Sequence, residues 1–218
     1  MGKRLYVNIH INPVSSCQTM AAKAFLAGLE RHNVKGNITE NRYARADVHV
    51  IVGPNYAEFY WNKHPNTIKL DRAYYLCPST AVSCGWLRPD GSRDFYREQP
   101  NSINFRESKT GSKTIFLAEY RQDIREADLV GVDTIRRHPL DTIYPLTLEQ
   151  SLEQHQKAIG YNTSALVTAG ILGLGIICKS KSSIMSRPDW KQQILLTDWC
   201  MSELESGACW SNLALNRF

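Results

Sequence analysis

Two stretches in the second half of the chain carry residue types that could grip an anion. One is Arg136-Arg137-His138-Pro139, at the end of a short strand signal. The other is Asn162-Thr163-Ser164, some two dozen residues later, opening a helix of small residues. A helix start leaves backbone N–H groups unsatisfied and carries the positive end of the helix dipole, so a phosphate can sit there at little cost. Arg137 would add a planar fork for phosphate oxygens, and His138 a hydrogen bond that follows its protonation. Each stretch also has a plainer reading. The turn could be a solvated bend, and Asn162, Thr163 and Ser164 are ordinary capping types. Capping and phosphate binding use the same donors, so these readings differ in whether the site is filled.

The first half offers a possible acid–base group and a second anion cradle. Asp71-Arg72 stands where a central strand should end, and a carboxylate there could take the proton of an attacking hydroxyl. An Asp-Arg ion pair or a helix cap is the competing account. Asp90 and Asp94 are rival carboxylates in a flexible region, and Asp47 reads as a cap or turn. Ser15-Ser16-Cys17 could hold an anion at the start of the first helix, or cap it. Trp86, beside Arg88 and Arg93, reads as a loop residue whose ring could stack on a base or a sugar. A surface accident fits it equally well. Trp190, Trp199 and Trp210 fall at helical spacing among leucines and read as packing.

The elements that must position these groups follow from periodicity. Residues 4–11 alternate as a strand, Pro13 stops it, and Ser15 or Ser16 begins a helix with apolar residues at Met20, Ala21, Ala24, Phe25, Ala27 and Leu29, up to Asn33 and Gly36. Val48 to Val52 is nearly all apolar, as in a parallel strand covered on both faces. Gly53-Pro54-Asn55, a helix from Tyr56 to Lys63 and a strand from Asn66 to Leu70 follow. Cys77 to Thr110 is rich in Pro, Gly, Ser and charge, and reads as loop with the domain boundary near residue 108. Beyond it come strands at Lys113 to Ala118 and Thr134 to Arg137, helices near Leu148 to Lys157 and Ser164 to Leu172, and a strand at Gly175 to Cys178. A closing helix takes Trp190, Ile194, Thr197, Met201, Leu204 and Ala208 on one stripe. The expected fold class is α/β: two small Rossmann-like lobes, 1–108 and 109–218, with a central cleft.

The chain has 218 residues, 43% of them hydrophobic, enough for one large domain or two small ones. No apolar run reaches the roughly 20 residues of a membrane helix. No signal-peptide pattern opens the chain, so a cytoplasmic protein with no membrane partner is expected. Six cysteines show no C-x-x-C pair or zinc spacing; they read as reduced core thiols, and no metal is expected. The net charge of +5 suits a polyanionic partner but does not require one.

The basic turn followed by the Ser/Thr helix start resembles the donor-binding half of nucleotide-sugar glycosyltransferases of the two-lobed GT-B architecture, as in capsule, sialyl- and polysialyl-type transferases. The run RPDWKQQILLTDWCMSELESGACW, from Arg187 to Trp210, is similar to the tail of small phage and prophage glycosyltransferases. DRAYY at Asp71 to Tyr75 and SCGWLRPDGSRDF at Ser83 to Phe95 resemble their middle section. The resemblance implies a glycosyltransferase of the host-cell cytoplasm whose C-terminal lobe, 109–218, holds a nucleotide-sugar donor through Arg137, His138, Asn162, Thr163 and Ser164. A UDP-sugar is favoured, with CMP- and GDP-sugars as alternatives. The N-terminal lobe, 1–108, would present the acceptor near Ser15, Ser16, Arg72, Trp86, Arg88 and Arg93, with Asp71 as base. Phage context points to a hydroxymethylated pyrimidine in DNA, its phosphates met by Arg88, Arg93, Arg97, Arg106, Lys109 and Lys113. A cell-surface polysaccharide acceptor, or a non-catalytic nucleotide-binding or host-interaction protein, are the alternatives. The chain departs from the pattern in its small lobes, in a first loop without a Gly-rich fingerprint and in the lack of an aspartate pair.

Overall fold

The structure is a computed structural model that describes residues 5–12, 15–41, 43–53, 64–77, 79–118, 126–136 and 146–218. It is an α/β protein that divides into two compact units, one made of residues 1–101 with 192–218 and the other of residues 102–191.

The first unit is built on a seven-stranded sheet. Strands β1 (Tyr6–His10), β2 (Lys35–Thr39), β3 (Val48–Val52), β4 (Thr67–Arg72), β5 (Ala81–Leu87) and β11 (Asp198–Cys200) lie in the order β2-β1-β3-β4-β5-β11, and β6 (Arg93–Asp94) pairs with β5. The first four are parallel; β5, β6 and β11 run antiparallel to their neighbours. Side chains alternate faces along a strand, so the register sorts them. Val7, Ile9, Val48, Val50, Val52, Ile68, Leu70, Cys84 and Trp86 share one buried face and form a core with Phe25 and Leu29 of α1 (Ser16–Arg31). Burying each such large side chain stabilises the fold by roughly 1.5–3 kcal/mol. The other face carries polar side chains around Ile51: Asn8, His10, His49, Thr67, Lys69, Asp71 and Ser83 fall on it by the same register.

Helix α1 starts where a capping residue allows it. Ser15 is extended (φ −98°, ψ 108°) and its hydroxyl accepts the Gln18 amide. Near its other end, a Cβ on Gly28 would stand 2.0 Å from the carbonyl oxygen of Leu204, so glycine lets α5 (Met201–Glu205) cross α1 closely.

The expected closing helix from Trp190 to Ala208 is not one helix. The chain forms α4 (Trp190–Ile194), strand β11, α5 and then α6 (Ala208–Leu215). Thr197 and Asp198 are poor interior helix residues because their side chains compete for backbone groups. The Thr197 hydroxyl donates to Ile194 O and lies 2.9 Å from the Asp198 carboxylate, which in turn accepts the amides of Tyr74, Tyr75 and Leu76. Gly207, at φ +81°, turns the chain between the last two helices. The expected loop from Cys77 to Thr110 likewise contains β5, all seven residues of which are buried.

The second unit holds a four-stranded, all-parallel sheet, β7 (Thr114–Leu117), β8 (Thr134–Arg136), β9 (Lys157–Gly160) and β10 (Gly175–Cys178), in the order β10-β9-β7-β8. Helix α2 (Leu148–Glu153) opens with a Thr147–Gln150 capping box, and α3 (Ser164–Ile171) links β9 to β10. Both units arrange their first four strands in the same sequence order, second-first-third-fourth. Among the described residues no helix is long and apolar enough to cross a membrane.

Candidate functional site

In an open parallel sheet, ligands gather at the carboxyl ends of the strands where the order reverses. In the second unit that point lies between β7 and β9. The register aligns Arg136, Leu117, Gly160 and Cys178 in one row at this edge. A Cβ on Gly160 would lie 2.8 Å from Leu117 O, so the two strands leave room only for glycine. Three residues later Thr163 caps α3: its Oγ1 accepts the Ala165 amide at 3.3 Å, and its carbonyl accepts that of Leu166 at 3.1 Å. Asn162 and Ser164 flank it, both exposed. Asn162, Thr163 and Ser164 thus stand together at a helix mouth on the carboxyl edge.

Side chains that the sequence reading did not single out surround this edge. The Tyr161 hydroxyl donates to one oxygen of Asp128, and Lys179 Nζ is 3.4 Å from the other. The Cys178 thiol donates to Tyr161 O at 3.1 Å. The last residue of β8, Arg136, serves the fold: its guanidinium donates to Leu146 O, Thr147 O and the Ser151 hydroxyl, fastening β8 to the start of α2. Arg137 and His138 lie outside the described residues.

In the first unit the corresponding reversal lies between β1 and β3. Asn12, Ser15 and Gly53 stand there. Gln18, missed from sequence, accepts the Asn12 amide at 2.8 Å. Its own amide nitrogen packs where a side chain on Gly53 (φ +96°) would have to go. Ser16, the first residue of α1, is exposed.

Asp71 lies near the end of β4 on the polar face. Lys69 Nζ is 3.1 Å from one carboxylate oxygen, and the Arg72 amide donates to the other at 2.9 Å. Burial pushes the Asp71 carboxyl up, but Lys69, Arg93 and the Arg72 amide outweigh it and hold the group below its ordinary range. Asp71 is therefore ionised and a weaker base than a free aspartate. Arg72 itself points to solvent.

Of three residues expected to meet an acceptor, two are buried in the fold. Trp86 is not in a loop: it is the sixth residue of β5, 1% exposed, and its indole donates to Leu213 O. The expectation failed because the turn at Pro89-Asp90-Gly91 begins only after β5 ends. Arg93 is buried too, donating to Ser83 and to the Tyr74 hydroxyl, with its guanidinium 5.0 Å from the Phe95 ring. Arg88 stays half exposed but is held by Asp94. The other cations expected to meet DNA phosphates include Arg97, which binds Glu203 and lies 4.1 Å from the Trp199 ring centre. Arg106 pairs with Glu153. Lys109 donates to the carbonyls of Leu152, Glu153 and His155, closing the end of α2. Among the described residues no group of three or more His, Cys, Asp or Glu side chains is placed to hold a metal ion.

No protein-family model matches the chain, and no curated protein matches it. A solved structure, Thermosulfurimonas dismutans KpsC, beta Kdo 2,7 transferase, overlaps 94% of this chain and 90% of its own, at 12% identity and a TM-score of 0.49. A likeness of that strength carries no inference about chemistry.

Some of the site had a visible signal. The Lys69–Asp71 pair is written in strand alternation, two residues apart on one face. Tyr74 had none, because its contact with Arg93 joins the loop after β4 to β6.

Proposed function

We propose that the chain is a nucleotide-sugar-dependent glycosyltransferase that moves a sugar to a hydroxyl acceptor, with the second unit binding the donor. The observation that carries this reading is the Thr163-capped mouth of α3 at the order reversal of an all-parallel sheet, where backbone donors and the helix dipole favour a phosphate. Asn162 and Ser164 flank the phosphate, and Arg137 and His138, which follow Arg136 in the chain, add charge. A UDP-sugar is the favoured donor, ahead of CMP- and GDP-sugars, and the two-lobed GT-B arrangement belongs to the same reading. In the first unit Ser15, Ser16 and Arg72 face the acceptor and Asp71 takes its proton. The acceptor that the sequence resemblance carries is a hydroxymethylated pyrimidine in DNA, and a cell-surface polysaccharide is the alternative.

Calorimetric titration with UDP, CMP and GDP tests the donor site. Binding to the wild type that weakens at least tenfold in Thr163→Ala and returns in Thr163→Ser supports it; no binding of any of the three overturns it. Incubation with nucleotide sugars and hydroxymethylated DNA, followed by mass spectrometry, then reads transfer directly. DNA binding that survives added salt unchanged speaks against a DNA acceptor.

A second reading, nucleotide binding without turnover, is favoured by one observation: Lys69 and Arg93 lower the basicity of Asp71. Nucleotide binding with no sugar transferred to any acceptor tried would select it.

A further inference from the structure

We infer that the imidazoles of His10, His49 and His64, packed in contact with one another, form an acid-sensitive fastening on the polar face of the first unit's sheet. His10 is the last residue of β1, His49 the second of β3, and His64 stands just ahead of β4, so the three rings tie three separate stretches of chain. His10 Nε2 and His49 Nδ1 are 2.9 Å apart, a hydrogen bond that needs one proton between the two nitrogens. Their rings lie edge to edge and nearly coplanar, with centroids 5.1 Å apart and planes 21° apart, and the His64 ring lies 3.9 Å from that of His49. His10 and His49 are 2% and 1% exposed. A positive charge in this column would be desolvated and would face another imidazole at close range.

The titratable surroundings can be named for the described residues. On β4, Lys69 lies across Ile51 from His10 and is paired with Asp71. On β2 the same rows hold Asn37 and Thr39, which do not titrate. The segment ahead of β3 brings Arg45, whose carbonyl takes the Asn8 amide, and Asp47, whose carboxylate takes the Tyr6 amide. Burial first, then His64, lowers both His10 and His49 to about 4, with His10 adding to the effect on His49. The folded values lie below the unfolded value of 6.5. The unfolded chain therefore takes up these protons first. The stability that the neutral column contributes is present above the unfolded value and is lost as pH falls towards the folded one.

Urea unfolding of the full chain from about pH 8 to about pH 4.5, in the wild type and in His64→Gln, tests this. The wild-type midpoint should fall steeply below about pH 6.5, and that of His64→Gln less, because the like-charged neighbour is gone. Parallel curves overturn the inference. Should the variant fail to fold, NMR titration of the wild-type imidazoles decides: His10 and His49 signals that stay neutral at about pH 5.5 support it, and titration near the ordinary histidine value overturns it. Neither outcome depends on whether the chain transfers a sugar.

Discussion

The carboxylate of Asp198, at the start of β11, accepts the backbone amide of Tyr75 at 2.9 Å, more than a hundred residues away along the chain. The amides of Tyr74 and Leu76 join it, and the side chain is fully buried. One residue thereby fixes the loop that leaves β4 beside Asp71.

Asp198→Asn should destabilise the first unit by about 2–4 kcal/mol, because an amide group turns a donor towards N–H groups that need an acceptor. Urea unfolding monitored by tryptophan fluorescence reads the change. A midpoint equal to that of the wild type would remove Asp198 from this role.

Lys109→Met should cost the second unit about 1 kcal/mol. It strips three carbonyls at the end of α2 of their ammonium while keeping most of the apolar stem. Hydrogen exchange should rise first in the amides of α2; uniform exchange across the unit would count against a local cap.

Two glycines with similar backbone angles should respond differently to alanine. Gly173 has φ +83° and a Cβ there would meet Glu107 O at 2.0 Å, whereas Gly91 has φ +79° and nothing within 4 Å. Gly91→Ala should cost about 1 kcal/mol of backbone strain, and Gly173→Ala clearly more, since the backbone of Glu107 must also move. Equal melting temperatures for the two variants would contradict the close approach at Gly173.

If Asp71 is the base, Asp71→Asn should lower transfer by about 10²-fold or more and leave nucleotide binding unchanged. Its carboxyl is depressed in the fold, so its ion pair contributes stability above the unfolded value, lost as pH falls through the folded one. Lys69→Met should raise the carboxyl towards the ordinary range and move the acid limb of the rate profile upward in pH. An unmoved acid limb would show that Asp71 does not set it.

Strand alternation and helix punctuation made β1, β3 and α1 legible, and the strand from Gly175 to Cys178 appears with the ends its apolar run suggests. Strand β5 was hidden because AVSCGWL mixes Ser, Cys and Gly into a buried strand, next to a turn-rich stretch whose composition reads as loop. The run from Trp190 to Ala208 misled for the opposite reason. Its apolar stripe fits a helix, but the pairing of Asp198 with Ser83 and the amides of the β4 loop outweigh that period. At the site, Thr163 was legible because a cap is a local feature. The histidine column was not, since His10 and His49 meet across strands whose register no local pattern reveals.

The first unit is completed by residues 192–218: Trp86 finds its carbonyl partner at Leu213, and Phe25 its aromatic neighbour at Trp210. During synthesis the residues of the second unit, an unbroken run from 102 to 191, have all been joined to the chain before those partners exist. The sheet begun at β1 is thus completed only after the whole second unit has been made, and until then it lacks β11, α5 and α6.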